Sequence, residues 1–453
     1  GLRPQLAATT PAFVTVLSGE ELRRLGFVTL GDALRFLAEV SIRTAGAGPG
    51  GFTQASIRGS TPQQVLVLID GVPLNATAQF GVNLSTISLA DVERVEILRG
   101  SYSAIYGNAL GGVISVKTRA DIRPVYSAGG GSFGSTGATL RVGRAWPGGQ
   151  FTLGGQYLGT AGDRLNSDAA RWTGTFRLAL RSEPRRTLTL LAQHTAGIAG
   201  LPGPTFFPAP SDRLTDTRTV LGLTWAAETG RRTTEARLWW LGDGLAQTSP
   251  GFGSDDRGGA FGGGWQRVIR LPNGAVLTGG LQLSRITFAS TSTFASFQSE
   301  ATTGAGYLQY DALLGPKTLF GVGARYDVHS TYGSQVNPRL GFVHLFSKRV
   351  RLRGSAGRAF RAPTFFELNY PGCSNPALRP EQAWAADLGL EVAPRPGLVL
   401  RLNGFYTDAL DLIVGGCNPQ NVGSARIAGF SAEAVGRLGE GWTAGGNLTW
   451  TAG

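Results

Sequence analysis

The residue types that carry most protein chemistry are scarce in this chain and widely spread. Histidine occurs three times, at His194, His329 and His344, on separate predicted strands and with no local ligand spacing, so a metal site built from them is not expected. No Ser/His/Asp or Cys/His set stands out, and enzyme chemistry is not expected. The segment GNALGGV from Gly107 has the glycine content of a phosphate loop. It lacks the Lys-Ser/Thr pair that would hold a nucleotide, so its glycines read as points of close packing. What remains is charge and thiol chemistry. Arg58, Glu93, Arg94, Glu96 and Arg99 are the sharp charges of the N-terminal quarter, and Cys373 and Cys417 are the two cysteines. The charges read either as a solvated face or as one half of a buried network in which paired groups stabilise and a lone partner destabilises.

Most of those charges lie in or beside one stretch, Val92 to Thr118, VERVEILRGSYSAIYGNALGGVISVKT. It predicts a charged strand, an apical loop at Ser101 to Asn108, and a glycine-rich return into a second strand at Val113 to Val116. The chain before it reads as a compact α+β domain. Ser18 with Glu21 has capping-box spacing, and helices are predicted over about Glu20–Leu25 and Leu30–Leu37, the second capped by Thr29. Ala55–Arg58 and the apolar run Val65–Ile69 predict strands, and Asp70-Gly71 a turn. Three loops, about 46–54, 74–83 and 100–108, are placed to converge at one end.

From about Arg123 onward, period 2 dominates. Trp172, Phe176, Leu178 and Leu180 fall on one face of a strand, opposite Arg171, Thr173, Thr175, Arg177 and Arg181. Leu398–Thr407, Trp442–Trp450 and Phe320–His329 repeat the alternation. These strands of about 10–13 residues are long enough to cross a bilayer at a tilt. Tight connections at Pro147, Ser182, Thr229, Pro272, Gly315, Ser347, Arg395 and Gly439 alternate with longer ones at about 160–168, 197–215, 245–257, 290–299, 361–381 and 409–421. That is the organisation of an outer-membrane barrel, and tryptophans such as Trp146, Trp225, Trp239, Trp240, Trp265 and Trp442 are expected to suit its interfacial girdles. No apolar run reaches the length of a membrane helix. The net charge of +12 is carried almost wholly by dispersed arginine, with lysine at Lys117, Lys317 and Lys348 alone. Such dispersion argues against nucleic acid. About 17 strands are counted, an odd number ending on a strand, and a lipid-exposed sheet must close. The chain is therefore expected to be C-terminally incomplete. With no methionine, even at position 1, its N-terminus is expected to be a processed one.

These residues carry a family resemblance. FVTVLSGEELRRLGFVTLGDALRFLAEV from Phe13, Ile57-Arg58-Gly59, VLVLIDGVPLN from Val65 and the stretch Val92–Thr118 resemble, in order and spacing, the plug motifs of TonB-dependent outer-membrane receptors. FRAPTFFELNYPGCSNPALRPEQ, Phe360 to Gln382, resembles that family's strand-and-loop signature. The resemblance implies a transmembrane antiparallel β-barrel of about 22 strands around an N-terminal α+β plug, with residues 1–119 as plug and 120–453 as barrel. It implies uptake energised by the inner-membrane TonB complex, residence in the outer-membrane lipid, and no covalent cofactor. The family's TonB box has no match in Gly1–Thr10 and is expected to precede Gly1. The strongest likeness is to cobalamin transporters, with a ferric-siderophore or haem receptor as the rival ligand class, and a plugged surface barrel without transport as the rival of another kind. Positions matching that subgroup's plug ligand contacts are Phe52, Gln54, Thr61, Gln79 and Phe80. Asp163, Asp168 and Asp216, with Asp212 nearby, sit where the subgroup's calcium ligands would be. Arg58 and Arg99 are expected to face Asp387, or a neighbour such as Glu381, on the barrel's inner wall. Cys373 and Cys417 fall in consecutive long loops on the same rim and are expected to form a disulfide that stiffens the mouth.

Overall fold

The chain is described by a computed structural model over residues 14–45, 51–100, 102–183, 185–439 and 441–453. Phe13, the Gly1–Thr10 segment, the first part of the loop at 46–54, Ser101, Pro184 and Glu440 lie outside the described residues.

The plug runs β1 (Val14–Ser18), α1 (Gly19–Arg24), α2 (Leu30–Leu34), β2 (Val40–Ala45), β3 (Phe52–Ile57), β4 (Val65–Ile69), β5 (Val72–Pro73), β6 (Val92–Arg99), α3 (Ser103–Tyr106) and β7 (Gly112–Thr118). Five strands form one sheet in the order β1-β6-β7-β4-β5, and β2-β3 pair separately. The unbroken apolar run of β4 is buried at every residue, as a strand covered on both faces requires, and it pairs in parallel with β7. Thr29 caps α2 as expected, and does so through a capping box with Asp32. Ser18 precedes α1 but makes no side-chain cap. There Arg23 Nη1 donates to the carbonyls of Leu89 and Val92, 2.7 Å each, and ties α1 to the start of β6 instead. The helix α2 stops at Leu34, short of Leu37, and the chain reverses through Glu39, whose φ is 65°.

Among the described residues seventeen strands, from Val125–Gly131 to Trp442–Ala452, make the barrel, and consecutive strands pair antiparallel from the first to the last. The tight turns fall where the sequence places them. The long connections do so only in part. At 161–168, 201–212 and 362–380 true loops stand, but at 245–257 the ladder continues to Ser249↔Phe252, and at 290–299 to Thr291↔Ser296. Strands there reach 17–19 residues, well past the roughly 9–11 needed to span hydrocarbon, so glycine- and serine-rich segments that read as loops extend the wall beyond the membrane.

The faces of the wall are inverted relative to a soluble protein. Trp172 is 62% exposed while its neighbours Arg171 and Thr173 are 2% and 6% exposed. Polar side chains point into the lumen and apolar ones outward, as lipid demands. The seventeen strands are ordered as a closed barrel, where closure was expected to need further strands; among the described residues no residue-by-residue register joins the last strand to the first. Sixteen antiparallel steps, an even number, bring the last strand back to the direction of the first. Both of those strands are exposed along most of their length.

The lumen is filled by the plug, and the two share a core. Leu191, Val220, Trp239, Leu241 and Ala260 of the wall pack into the same apolar cluster as Val65, Val67, Ile97 and Ile114 of the plug. The connection after Thr118 is pinned as well. Arg141 donates to the carbonyls of Asp121 and Arg123, and Asp121 takes both Nε and Nη2 of Arg119, at 3.0 and 2.7 Å. Those arginines hold the Asp121 carboxyl far below the usual carboxylate range, against a burial effect that alone would raise it.

Candidate functional site

The site is built where three plug turns meet the barrel wall. The first follows β3. Arg58 adopts φ 54° and Gly59 φ 78°, an uncommon backbone for an arginine. The turn aims the Arg58 side chain out of the plug sheet. Its Nε lies 2.5 Å from Glu39 Oε2 and its Nη1 2.5 Å from Asp387 Oδ1. Its guanidinium carbon sits 4.4 Å above the centre of the Phe405 ring. All three charged side chains are 5% exposed or less. Glu39 also accepts from Asn403 Nδ2 at 3.3 Å and from the Ser431 hydroxyl, so this one carboxylate joins the plug to two more barrel strands. Burial alone would raise the Glu39 carboxyl, but Arg58 and Arg99 hold it below its ordinary value. Gly100, with φ 95°, lets the Asp387 carboxylate lie against its backbone; a Cβ there would stand 2.7 Å from Oδ2.

Arg99 does not face the barrel acids as expected. Its Nη1 donates to Thr15 Oγ1 at 2.8 Å and its Nη2 to the Ala38 carbonyl at 3.2 Å, with Glu39 at 3.7 Å. It stands at the end of β6, beside β1, and its reach is spent inside the plug. Among the described residues Glu381 likewise takes no plug arginine. It pairs with Arg361 on the adjacent strand at 2.7 Å and accepts from the neutral plug residue Gln64, also at 2.7 Å.

The second and third turns form the floor of the outer mouth. Gln79 Oε1 accepts from the Phe365 backbone N–H at 2.7 Å, and Asn108 Oδ1 from that of Ala362 at 3.0 Å. Both bonds grip the 362–380 loop, which carries a short helix, α4 (Phe365–Asn369), closed by a Thr364/Glu367 capping box. Phe80 is 44% exposed and packs 5.0 Å from Phe366. Gln54 donates to the Phe80 carbonyl, and Phe52 and Phe80 line a small cavity with Gln79. Thr61 is elsewhere in function: it forms a capping box with Gln64 in the turn before β4. A larger cavity of about 470 Å³ lies between the plug and the wall from Glu235 to His329, and Gln79 lines that one too.

Cys373 and Cys417 are bonded to each other, joining loop 362–380 to loop 415–419, where Asn375 Nδ2 also donates to the Pro419 carbonyl at 3.0 Å.

The four aspartates read as calcium ligands are not brought together. Asp168 holds Arg213 through both oxygens, at 2.7 and 2.8 Å. Asp216 holds Arg171 in the same way, at 2.9 and 2.8 Å. Asp163 accepts from Ser167, and Asp212 offers its backbone carbonyl to Asn166. Among the described residues no three acidic, histidine or cysteine side chains form a metal cluster. At Asp168 and Asp216 arginine supplies the positive charge that a cation would.

Two functional residues escaped sequence reading. Glu39 sits in the apolar context LAEVSI, the one hint that its charge is buried; its positive φ has no sequence signal. Gln64 looks like any turn residue. The glycines near Gly107 act as packing points: a Cβ on Gly111 would stand 2.4 Å from Ser60 Oγ.

Fold and site together define a transmembrane barrel closed by an inserted plug whose seat is a buried ionic network. Residues 98–453 match the family model described as TonB dependent receptor-like, beta-barrel, and residues 7–113 that of the TonB-dependent Receptor Plug Domain. The chain belongs to the TonB-dependent receptors. It is 24% identical, over 93% of its length and 72% of the relative's, to the vitamin B12 transporter BtuB of Photobacterium profundum. Among solved structures it resembles the ferric enterobactin receptor PfeA of Pseudomonas aeruginosa, with TM-score 0.82, 20% identity and coverage of 99% of this chain and 82% of that one. The siderophore receptor PirA of Acinetobacter baumannii gives TM-score 0.80 at 17% identity, covering 98% and 82%. At such identities the structural likenesses speak to the fold.

Proposed function

We propose that this receptor takes up cobalamin or a related corrinoid across the outer membrane, drawing on the TonB complex for energy. The observation that carries the reading is the likeness to a vitamin B12 transporter along 93% of the chain. The mouth supports it. Gln54, Gln79, Phe52 and Phe80 gather amide and aromatic groups at the plug apex, a mixture suited to a large ligand with both apolar and amide surface. The ionic seat supports gating: a plug held by buried pairs stays in place at rest, and separating them costs free energy that must come from outside.

Calorimetry of the purified receptor with cyanocobalamin tests the reading. Saturable binding is the expected result. A ferric tricatecholate chelate that binds in its place would favour the second reading, a siderophore receptor. Adding calcium should leave the affinity unchanged, because Asp168 and Asp216 already hold arginines.

A further inference from the structure

The smaller cavity beneath Phe80 has a volume of about 50 Å³. Three successive barrel strands each present an aspartate to it: Asp216, Asp243 and Asp256. Two are neutralised. Asp216 holds Arg171, and Asp243 holds Arg218 at 2.6 Å and also accepts from the Thr77 hydroxyl. Asp256 is different. It is 8% exposed, and its Oδ1 has no hydrogen-bond partner among the described residues. Its ladder partner Ser290 is 2% exposed and sets its hydroxyl beside the same carboxylate. A buried carboxylate oxygen without a partner, on a residue that lines a cavity, calls for an explanation.

The rest of the lining supplies one. Phe52 and Phe80 from the plug and Phe288 from the wall bring three aromatic rings to the same small space. Aromatic faces beside a carboxylate are the recognition elements of an organic cation. A metal ion is poorly served, since the two neighbouring carboxylates are already taken by guanidinium groups. The volume admits a group of a few heavy atoms, at roughly 10–15 Å³ for each water-sized centre.

We propose that this pocket binds a protonated primary amine: the ammonium meets Asp256 and its first carbons lie against the phenyl rings. A ligand entering the mouth would be oriented by such an arm. The inference stands apart from the corrinoid reading, because it specifies a small cationic group and not the body that carries it.

Saturation-transfer NMR on the purified receptor, with n-propylammonium and the neutral 1-propanol as matched probes, tests it. Transfer to n-propylammonium should exceed that to 1-propanol at least fivefold, and Asp256→Asn should remove the difference. Equal transfer to both probes in the unaltered receptor would overturn the proposal. So would an undiminished ammonium signal in Asp256→Asn, which would mark Asp256 as a protonated structural group. The comparison of the two probes needs no variant, so a misfolded Asp256→Asn would still leave the proposal decided.

Discussion

The plug meets the barrel in two different ways on two walls about halfway round the strand order from each other. On strands 186–200 through 252–270 the contact is chiefly apolar: Leu191, Val220, Leu241 and Ala260 extend the plug's own core, with hydrogen bonds such as Thr77 to Asp243 and Arg218 to Thr86 beside them. On strands 381–395 through 420–439 it is ionic and hydrogen-bonded, through Asp387, Asn403 and Ser431 around Arg58 and Glu39. Apolar contact has no preferred direction and scales with the area removed from water. A buried ion network is directional, and losing one member leaves the others uncompensated. One wall therefore tolerates small displacement, while the other fixes position and fails as a unit.

Asp387→Ala should have the largest effect. It strips Arg58 of one of its two buried partners and should cost the plug about 3–5 kcal/mol of seating, read by denaturant unfolding of the purified receptor; a loss under about 1 kcal/mol would mean that the ionic wall does not hold the plug. Leu241→Ala on the other wall, at a fully buried site, should cost about 2–5 kcal/mol through lost burial and a cavity. Combining the two should give the sum of the single losses to within about 0.5 kcal/mol, because the sites share no partner. Glu39→Gln should cost less, about 1–3 kcal/mol, since Arg58 keeps Asp387, and combined with Asp387→Ala it should depart clearly from additivity. Acid offers a smaller and reversible probe. The Glu39 carboxyl is held below its unfolded value of about 4.3, so its stabilisation is complete above that pH and is lost as pH falls through the lower folded value. Unfolding curves below about pH 4 should be flatter with pH in Glu39→Gln than in the unaltered chain; identical slopes would remove Glu39 from the account.

The apolar wall was the more legible of the two in sequence. Period 2 puts Val220 and Leu241 on strands, and VLVLI declares a covered strand without help. On the ionic wall, parity sets Asp387 toward the lumen, and the motif around Arg58 is plain. The match between them depends on a backbone reversal at Glu39 and a left-handed turn at Arg58, which residue type does not announce. Arg99 illustrates the same limit: its charge is evident, but its partners Thr15 and Ala38 are set by the β1–β6 pairing. The strands that continue through Ser249 and Ser292 were hidden by turn-forming residues, because ladder pairing with a neighbour outweighs local propensity.

The β1–β6 pairing has a mechanical consequence. β1 is the edge strand of the plug sheet, and Val14 and Thr15 lie opposite Leu98 and Ile97. A tension entering the described chain at Val14 reaches the Arg99–Thr15 hydrogen bond within one residue. Peeling β1 away would take Thr15 from Arg99, leaving it the Ala38 carbonyl, and Arg99 is one of the two arginines that hold the Glu39 carboxylate charged. The edge strand thus lies one hydrogen bond away from a member of the ionic seat, so that a load on β1 is felt there early.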